Sequence, residues 1–302
     1  MPELITELPQ RPVPPFAPRS GQPEVRPRML FAASDFVQAL PALRRAQGLA
    51  ERAGAELYVL QVGPTARTPQ TPHRAPARAS AQGLRRLCNR GGHERLARDH
   101  ILLLEGEFTK VVSHTARSLA ASLVVIGGTR ARPGKRVVQI VKETHVPVLV
   151  SRRSNHSGVL LAALDLLPQG DAEELALCAE LAQRLAFRLA LVHNVQPVVH
   201  AVSSPAGHTF CSLIQPSRAE LHARHERIER LAGAAGVHAE AIVRSEPSAE
   251  AAILASARAQ GAELIAVGLR DQGFIERLFH TALAMRIVDR SERSVLVAPV
   301  AA

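Results

Sequence analysis

The sequence predicts an α/β chain made of two tandem five-stranded parallel open sheets with flanking helices, and three observations lead there. From Arg28 onward, short apolar runs alternate with amphipathic segments, as in parallel strands joined by helices. The same alternation starts again at Gly158. Landmarks of the two copies align at offsets that change little: Ser34 to Asp165 at 131 residues, Gly127 to Gly268 at 141, and Pro147 to Ser294 at 147. Loop insertions cost little free energy, so one fold used twice accounts for the drift. The expected organisation is a Pro-rich tail over 1–27, a first domain over 28–154 and a second over 155–302. A chain of 302 residues gives each copy enough length to bury its own core.

The tail carries eight prolines and no periodicity, which predicts a disordered or polyproline-like segment. In the first copy "RMLFAAS" (28–34) reads as a strand. "PALRRAQGLAERAG" (41–54) reads as a helix with Leu43, Ala46, Ala50 and Ala53 on one face, stopped by Gly54. A strand over 55–63, a Pro- and Arg-rich loop, a helix over 80–97 and a strand over 100–106 follow. A helix over 108–120, "SLVVIGG" (122–128), a short helix and "VPVLVS" (146–151) complete the copy.

The second copy opens with "GVLLAALD" (158–165). Asp171 and Glu174 have capping-box spacing and start the next helix. "RLALVHNV" (188–195) is a strand. Ser217 and Glu220 repeat the box and open a helix whose predicted buried stripe is Leu221, Ile228, Leu231 and Ala235, ending near Gly236. "HAEAIVRS", a helix, "AELIAVG", a further helix and "SVLVAPV" finish the chain.

No apolar run approaches the roughly 20 residues that span a bilayer, and the first residues lack a signal-type apolar region. Cys88, Cys178 and Cys211 are odd in number and far apart, with Cys178 on an apolar helix face that predicts a core position. These features predict a cytoplasmic protein with no membrane partner. The net charge of +10 raises the question of an anionic partner. Only Lys110, Lys135 and Lys142 are lysines, so the charge is arginine spread along the chain. Aromatics are 3% with no tryptophan, which disfavours nucleic acid as a stacked ligand. "GTRARPGKR" (128–136) is the strongest basic cluster, and a solvated charged loop is its simplest reading.

His222 and His225 lie three apart on a predicted helix with no third ligand at metal spacing, so no metal is expected. His193 reads as a hydrogen-bonded structural residue. The sequence has neither a G-x-S-x-G elbow nor a G-x4-G-K-[S/T] phosphate loop, so no residue is assigned a catalytic role.

"AELIAVGLRDQGFIERL…RSVLVAP", "SLVVIGGTRARPG…VPVLVS" and the order of elements resemble the universal stress protein family, in its tandem E-type form, over almost all of residues 28–300. The resemblance implies an adenine nucleotide alpha hydrolase-like fold, with the last strands of the two copies meeting across a pseudo-two-fold axis as an intramolecular pseudo-dimer. Pairing there would cover two exposed edges, so "VPVLV" and "SVLVA" are expected to be buried. In nucleotide-binding members a G-x2-G-x9-G-[S/T] loop lets backbone N–H groups approach phosphates at a helix N-terminus. An Asp ending the first strand contacts the nucleoside side.

On the second copy that motif falls on Gly268, Asp271, Thr281 and Ala282, with Gly273 nearby and Asp165 as the first-strand acid. Only the first glycine matches, and Asp271 sets a carboxylate where a polyphosphate would lie. On the first copy Gly127 and Gly128 open a loop six residues shorter, Gly134 and Lys135 fall at the last two positions, and Ser34 replaces the acid. The resemblance therefore implies vestigial nucleotide pockets and no tightly held cofactor. The expected role is stress adaptation by binding unidentified protein partners, without catalysis. The alternatives are ATP binding in the second copy through Asp165 and Gly268, an arginine-driven anionic-surface or nucleic-acid binder, and a carrier of a small apolar ligand.

Overall fold

The computed structural model describes residues 26–64, 100–127, 132–152, 157–166, 171–203, 209–270 and 274–300. The tail through residue 25, the helix expected over 80–97, Gly128, Asp271 and Gly273 lie outside the described residues. The first copy contains β1 (Arg28–Ala33), α1 (Phe36–Ala53), β2 (Glu56–Gly63), β3 (Ile101–Glu105), α2 (Phe108–Ser118), β4 (Leu123–Ile126), α3 (Gly134–Thr144) and β5 (Val148–Val150). The second opens with β6 (Val159–Ala163), α4 (Asp171–Leu185), β7 (Arg188–Asn194), β8 (Val198–Ser203) and β9 (Thr209–Ile214). It continues through α5 (Arg218–Ala234), β10 (Ala239–Arg244), α6 (Ala249–Ala259), β11 (Leu264–Arg270), α7 (Phe274–Arg290) and β12 (Ser294–Val300).

Each copy places its five parallel strands in the same spatial order, β3-β2-β1-β4-β5 and β10-β7-β6-β11-β12. The two sheets expected from the sequence are in fact one. β5 and β12 pair antiparallel, Val150 with Val295, Leu149 with Leu296 and Val148 with Val297, and fuse the copies into a ten-stranded sheet. Two open edges would otherwise present unpaired backbone groups, and this pairing satisfies them while burying both apolar strands. Val148 to Val150 and Ser294 to Ala298 are all buried, as the two-fold reading anticipates.

The period-two alternation of β1 decides where the core lies. Met29, Phe31 and Ala33 face one layer, with α1 and α4, while Leu30 and Ala32 face the other, with α2, α3, α6 and α7. Both layers run through the seam, since Leu149 joins Leu296 in one and Val150 joins Val295 in the other. The expectation of two separate cores is thus replaced by two shared ones.

Three local departures have physical causes. α1 starts at Phe36, five residues before Pro41, because the Asp35 carboxylate accepts from the backbone N–H groups of Val37 (3.0 Å) and Gln38 (3.3 Å). The proline deprives Val37 of a helical donor, and Val37 is 73% exposed to water that can replace it. In α5 the Ser217 hydroxyl does accept from the Glu220 N–H at 3.1 Å, but Ile228 and Ala232 are the residues buried, Leu221 and Leu231 are half-buried, and Ala235 is exposed. The antiparallel ribbon β8–β9 was absent from the sequence reading altogether.

Polar contacts reinforce the seam. Arg45 of α1 reaches into the second copy, donating to Glu263 Oε1 at 2.5 Å and to the Ser294 hydroxyl at 2.9 Å. Ser294 Oγ also accepts from the Arg152 N–H at 3.0 Å, and Glu263 Oε2 accepts from the Gly158 N–H at 3.1 Å. Burial lowers the Arg45 pKa, while the Glu263 charge opposes that shift. The pair is nearly dry, with side-chain exposures of 13% and 5%. Replacing Glu263 by Ala leaves a buried guanidinium without its counter-charge, so urea denaturation is expected to show a loss of about 3 kcal/mol. A loss under about 1 kcal/mol, the value of a surface pair, would contradict this.

Candidate functional site

Open α/β sheets bind ligands at the carboxyl ends of their strands, where the strand order reverses. In the second copy that point lies between β6 and β11, and charged side chains of this chain meet there. Asp165, just beyond β6, accepts from Arg270 Nη2 at 2.8 Å through Oδ1 and lies 3.5 Å from His280 Nε2 through Oδ2. Arg270 is the last residue of β11, and its side chain is 6% exposed. The acid that resemblance assigned to a nucleoside is therefore engaged by a residue of the glycine loop's own strand. His193, near the end of β7, sets Nδ1 2.9 Å from the Leu164 carbonyl oxygen, a structural role as anticipated. Burial, helped by the charges of Arg224 and Arg227, lowers its pKa against the opposing pull of that carbonyl and of Asp165.

Gly268 has a packing reason to be glycine. A Cβ there would come within 2.7 Å of Glu174 Oε2 and 2.8 Å of Val300 Cγ2. Glu174, read in sequence as a capping residue, instead lies buried in the first turn of α4 against this backbone. Burial pushes the Cys178 thiol well above its usual range, and the Glu174 charge adds to that shift. A carboxylate thus occupies the flank of the glycine that a phosphate would need. Thr281 and Ala282, at the motif's last glycine and hydroxyl positions, are half-buried inside α7, which starts at Phe274, so they lie about 10 Å of helix rise beyond the N-terminus where that pair belongs.

The first copy differs. Asp35 is used as the α1 cap, and a Cβ on Gly127 would collide with Ala42 and come within 3.1 Å of Phe31. Gly134 is the first residue of α3, and its N–H donates to Asp289 Oδ1 of α7 at 2.8 Å. A Cβ there would lie 2.5 Å from the Met285 carbonyl oxygen. The N-terminus of α3 holds a carboxylate supplied by the other copy. Arg152 completes this contact by donating to the Val288 carbonyl at 2.7 Å. Lys135, Arg132 and Arg136 are exposed beside it, and Arg136 lies 6.0 Å from the centre of the Phe108 ring.

Other candidates resolve simply. His222 and His225 face Glu226 and Glu229 one turn on, at 3.2 and 3.4 Å, along the exposed side of α5. Among the described residues no group of three or more potential ligands could hold a metal. A cavity of about 20 Å³ lies over the seam between Met29, Leu49, Leu123, Leu181, Leu264 and Leu296, room for about one water. Among the described residues no helix is long and apolar enough to cross a membrane. The sequence reading missed Arg270, His280, Glu174 and Asp289. Arg270 was legible as the charge two positions after Gly268 that could reach a first-strand acid, whereas Asp289 carried no local signal.

These features define an α/β protein with the fold used twice and its strand-end crevice occupied from within. The universal stress protein family model matches residues 26–152 and again 158–299, and the chain belongs to that family in tandem form. Among solved structures it is similar to a universal stress protein from Archaeoglobus fulgidus DSM 4304, with 16% identity, a TM-score of 0.61, and coverage of 90% of this chain and 98% of that one. It is also similar to a functionally unknown protein from Pseudomonas aeruginosa PAO1, with 15% identity, a TM-score of 0.61, and coverage of 91% and 93%. At these identities the two structures speak to fold alone. No curated protein sequence matches the chain.

Gly268→Ala and Gly127→Ala each force a methyl group into occupied space. Each is expected to lower stability by about 2 kcal/mol in chemical denaturation without any ligand present. An alanine variant as stable as the natural protein would show that these glycines are not retained for packing.

Proposed function

We propose that this tandem universal stress protein serves stress adaptation as a non-catalytic binding protein whose ligands are other proteins and whose nucleotide crevices are vestigial. The observation that carries the reading is the Arg270–Asp165–His280 cluster, in which the first-strand acid is engaged by the Arg270 guanidinium with the His280 ring beside it. A nucleoside contacting Asp165 would have to break a largely buried ion pair, at a cost of about 3 kcal/mol before any gain. Glu174 beside Gly268 adds like-charge repulsion toward a phosphate, and Asp289 fills the equivalent helix N-terminus of the first copy. Each feature weakens the case for ATP as a ligand and none supplies a nucleophile with an activating base.

Isothermal titration calorimetry of the full chain with ATP and magnesium is expected to give no binding in the micromolar range. Micromolar affinity that depends on magnesium would overturn the proposal in favour of a nucleotide-binding role.

A further inference from the structure

The ribbon β8–β9 stands apart from the ten-stranded sheet and forms a two-stranded sheet of its own. Each strand has the other as its principal packing neighbour among the described residues. An isolated two-stranded ribbon is at best marginally stable in water, so a persistent one calls for something against it. Its base is firmly held. Asn194 exchanges hydrogen bonds with the Glu246 backbone at 2.9 and 3.1 Å, Gln196 donates to the Pro247 carbonyl at 3.1 Å, and the Ser245 hydroxyl donates to Gln215 Oε1 at 3.0 Å. The ribbon is therefore presented in a fixed direction, which reduces the ordering cost of an encounter.

Among the described side chains of the ribbon, the exposed ones are apolar. Val198 is 62% exposed, and Leu213 and Ile214 are each 52% exposed. Val198 and Ile214 are registered cross-strand partners and so lie on the same face as one patch. The charge pattern narrows the occupant. Residues 195–217 contain no Asp, Glu, Lys or Arg, in a chain that is 21% charged with a net charge of +10. Edge strands are commonly guarded by lysine or other charge against pairing with their own kind, and neither strand of this ribbon has such a guard. Two copies at +10 repel one another across most of their surface, and this stretch is where they can meet without opposing like charges.

We propose that two copies of this chain associate through β8–β9, ribbon against ribbon about a two-fold axis. An antiparallel pair made by a strand and its own symmetry mate is self-complementary, so one ribbon supplies both halves of the interface. The dimer is independent of the crevice and of the nucleotide question.

The experiment is analytical ultracentrifugation of the full chain at micromolar concentration, alongside Ile214→Lys and Val198→Lys. Both positions are exposed, so the variants are expected to keep the natural circular dichroism spectrum and thermal midpoint, which confirms that they fold. The natural protein should sediment with the mass of two copies, and each variant should raise the dimer dissociation constant by about tenfold or more. A natural chain that sediments as one copy overturns the proposal and leaves the ribbon to a different protein. A dimer equally tight in the folded variants overturns it by placing the interface elsewhere.

Discussion

Three residue pairs between β5 and β12 hold the two halves of this molecule in a single sheet, and the rest of the architecture follows from them. Without that antiparallel pairing, each half would end in an apolar strand with unpaired backbone groups on one side. With it, both core layers become continuous across the chain, and the flanking segments are brought close enough for Arg45 to meet Glu263 and for Asp289 to reach the N-terminus of α3. The polar contacts fix the angle and register of a join that apolar strands alone would specify loosely.

The same join sets what surrounds the glycine position of the first copy. In the first copy, the helix after the glycine position abuts the second copy and takes its anion from Asp289, so Gly134 is constrained by the Met285 carbonyl and not by a ligand. In the second copy an arginine at the last position of β11 is drawn onto the first-strand acid. In each half a side chain of the chain itself sits at the strand-end position, Arg270 on Asp165 in the second copy and Asp289 on the Gly134 N–H in the first.

Much of the fold was legible in sequence because it rests on short-range pattern. The apolar runs of β1, β4, β6, β11 and β12 and the drift in landmark offsets located the repeat without any knowledge of contacts, and Ser217 with Glu220 marked a helix start through purely local chemistry. Pro41 misled the placement of α1, since a proline at a helix start is the commoner case and the Asp35 cap that permits an earlier start lies just beyond a strand end. The ribbon was missed although "PVVHAVS" and "TFCSLIQ" carry strand-forming residues, because a plan with one helix between each pair of strands left no place for it. The candidate site was legible only in what it lacked. Asp271, Thr281 and Ala282 mark departures from the family's loop pattern, but partners such as Arg270 with Asp165, or Gly134 with Asp289, are separated by 105 and 155 residues and are set by tertiary structure.

The central claim is that two copies of one fold behave as a single cooperative body because the β5–β12 pairing merges their cores. Differential scanning calorimetry of the full chain tests it most directly. The account predicts one transition whose calorimetric and van't Hoff enthalpies agree. Two resolved transitions, each of about half the total enthalpy, would mean that the halves melt separately and would contradict it.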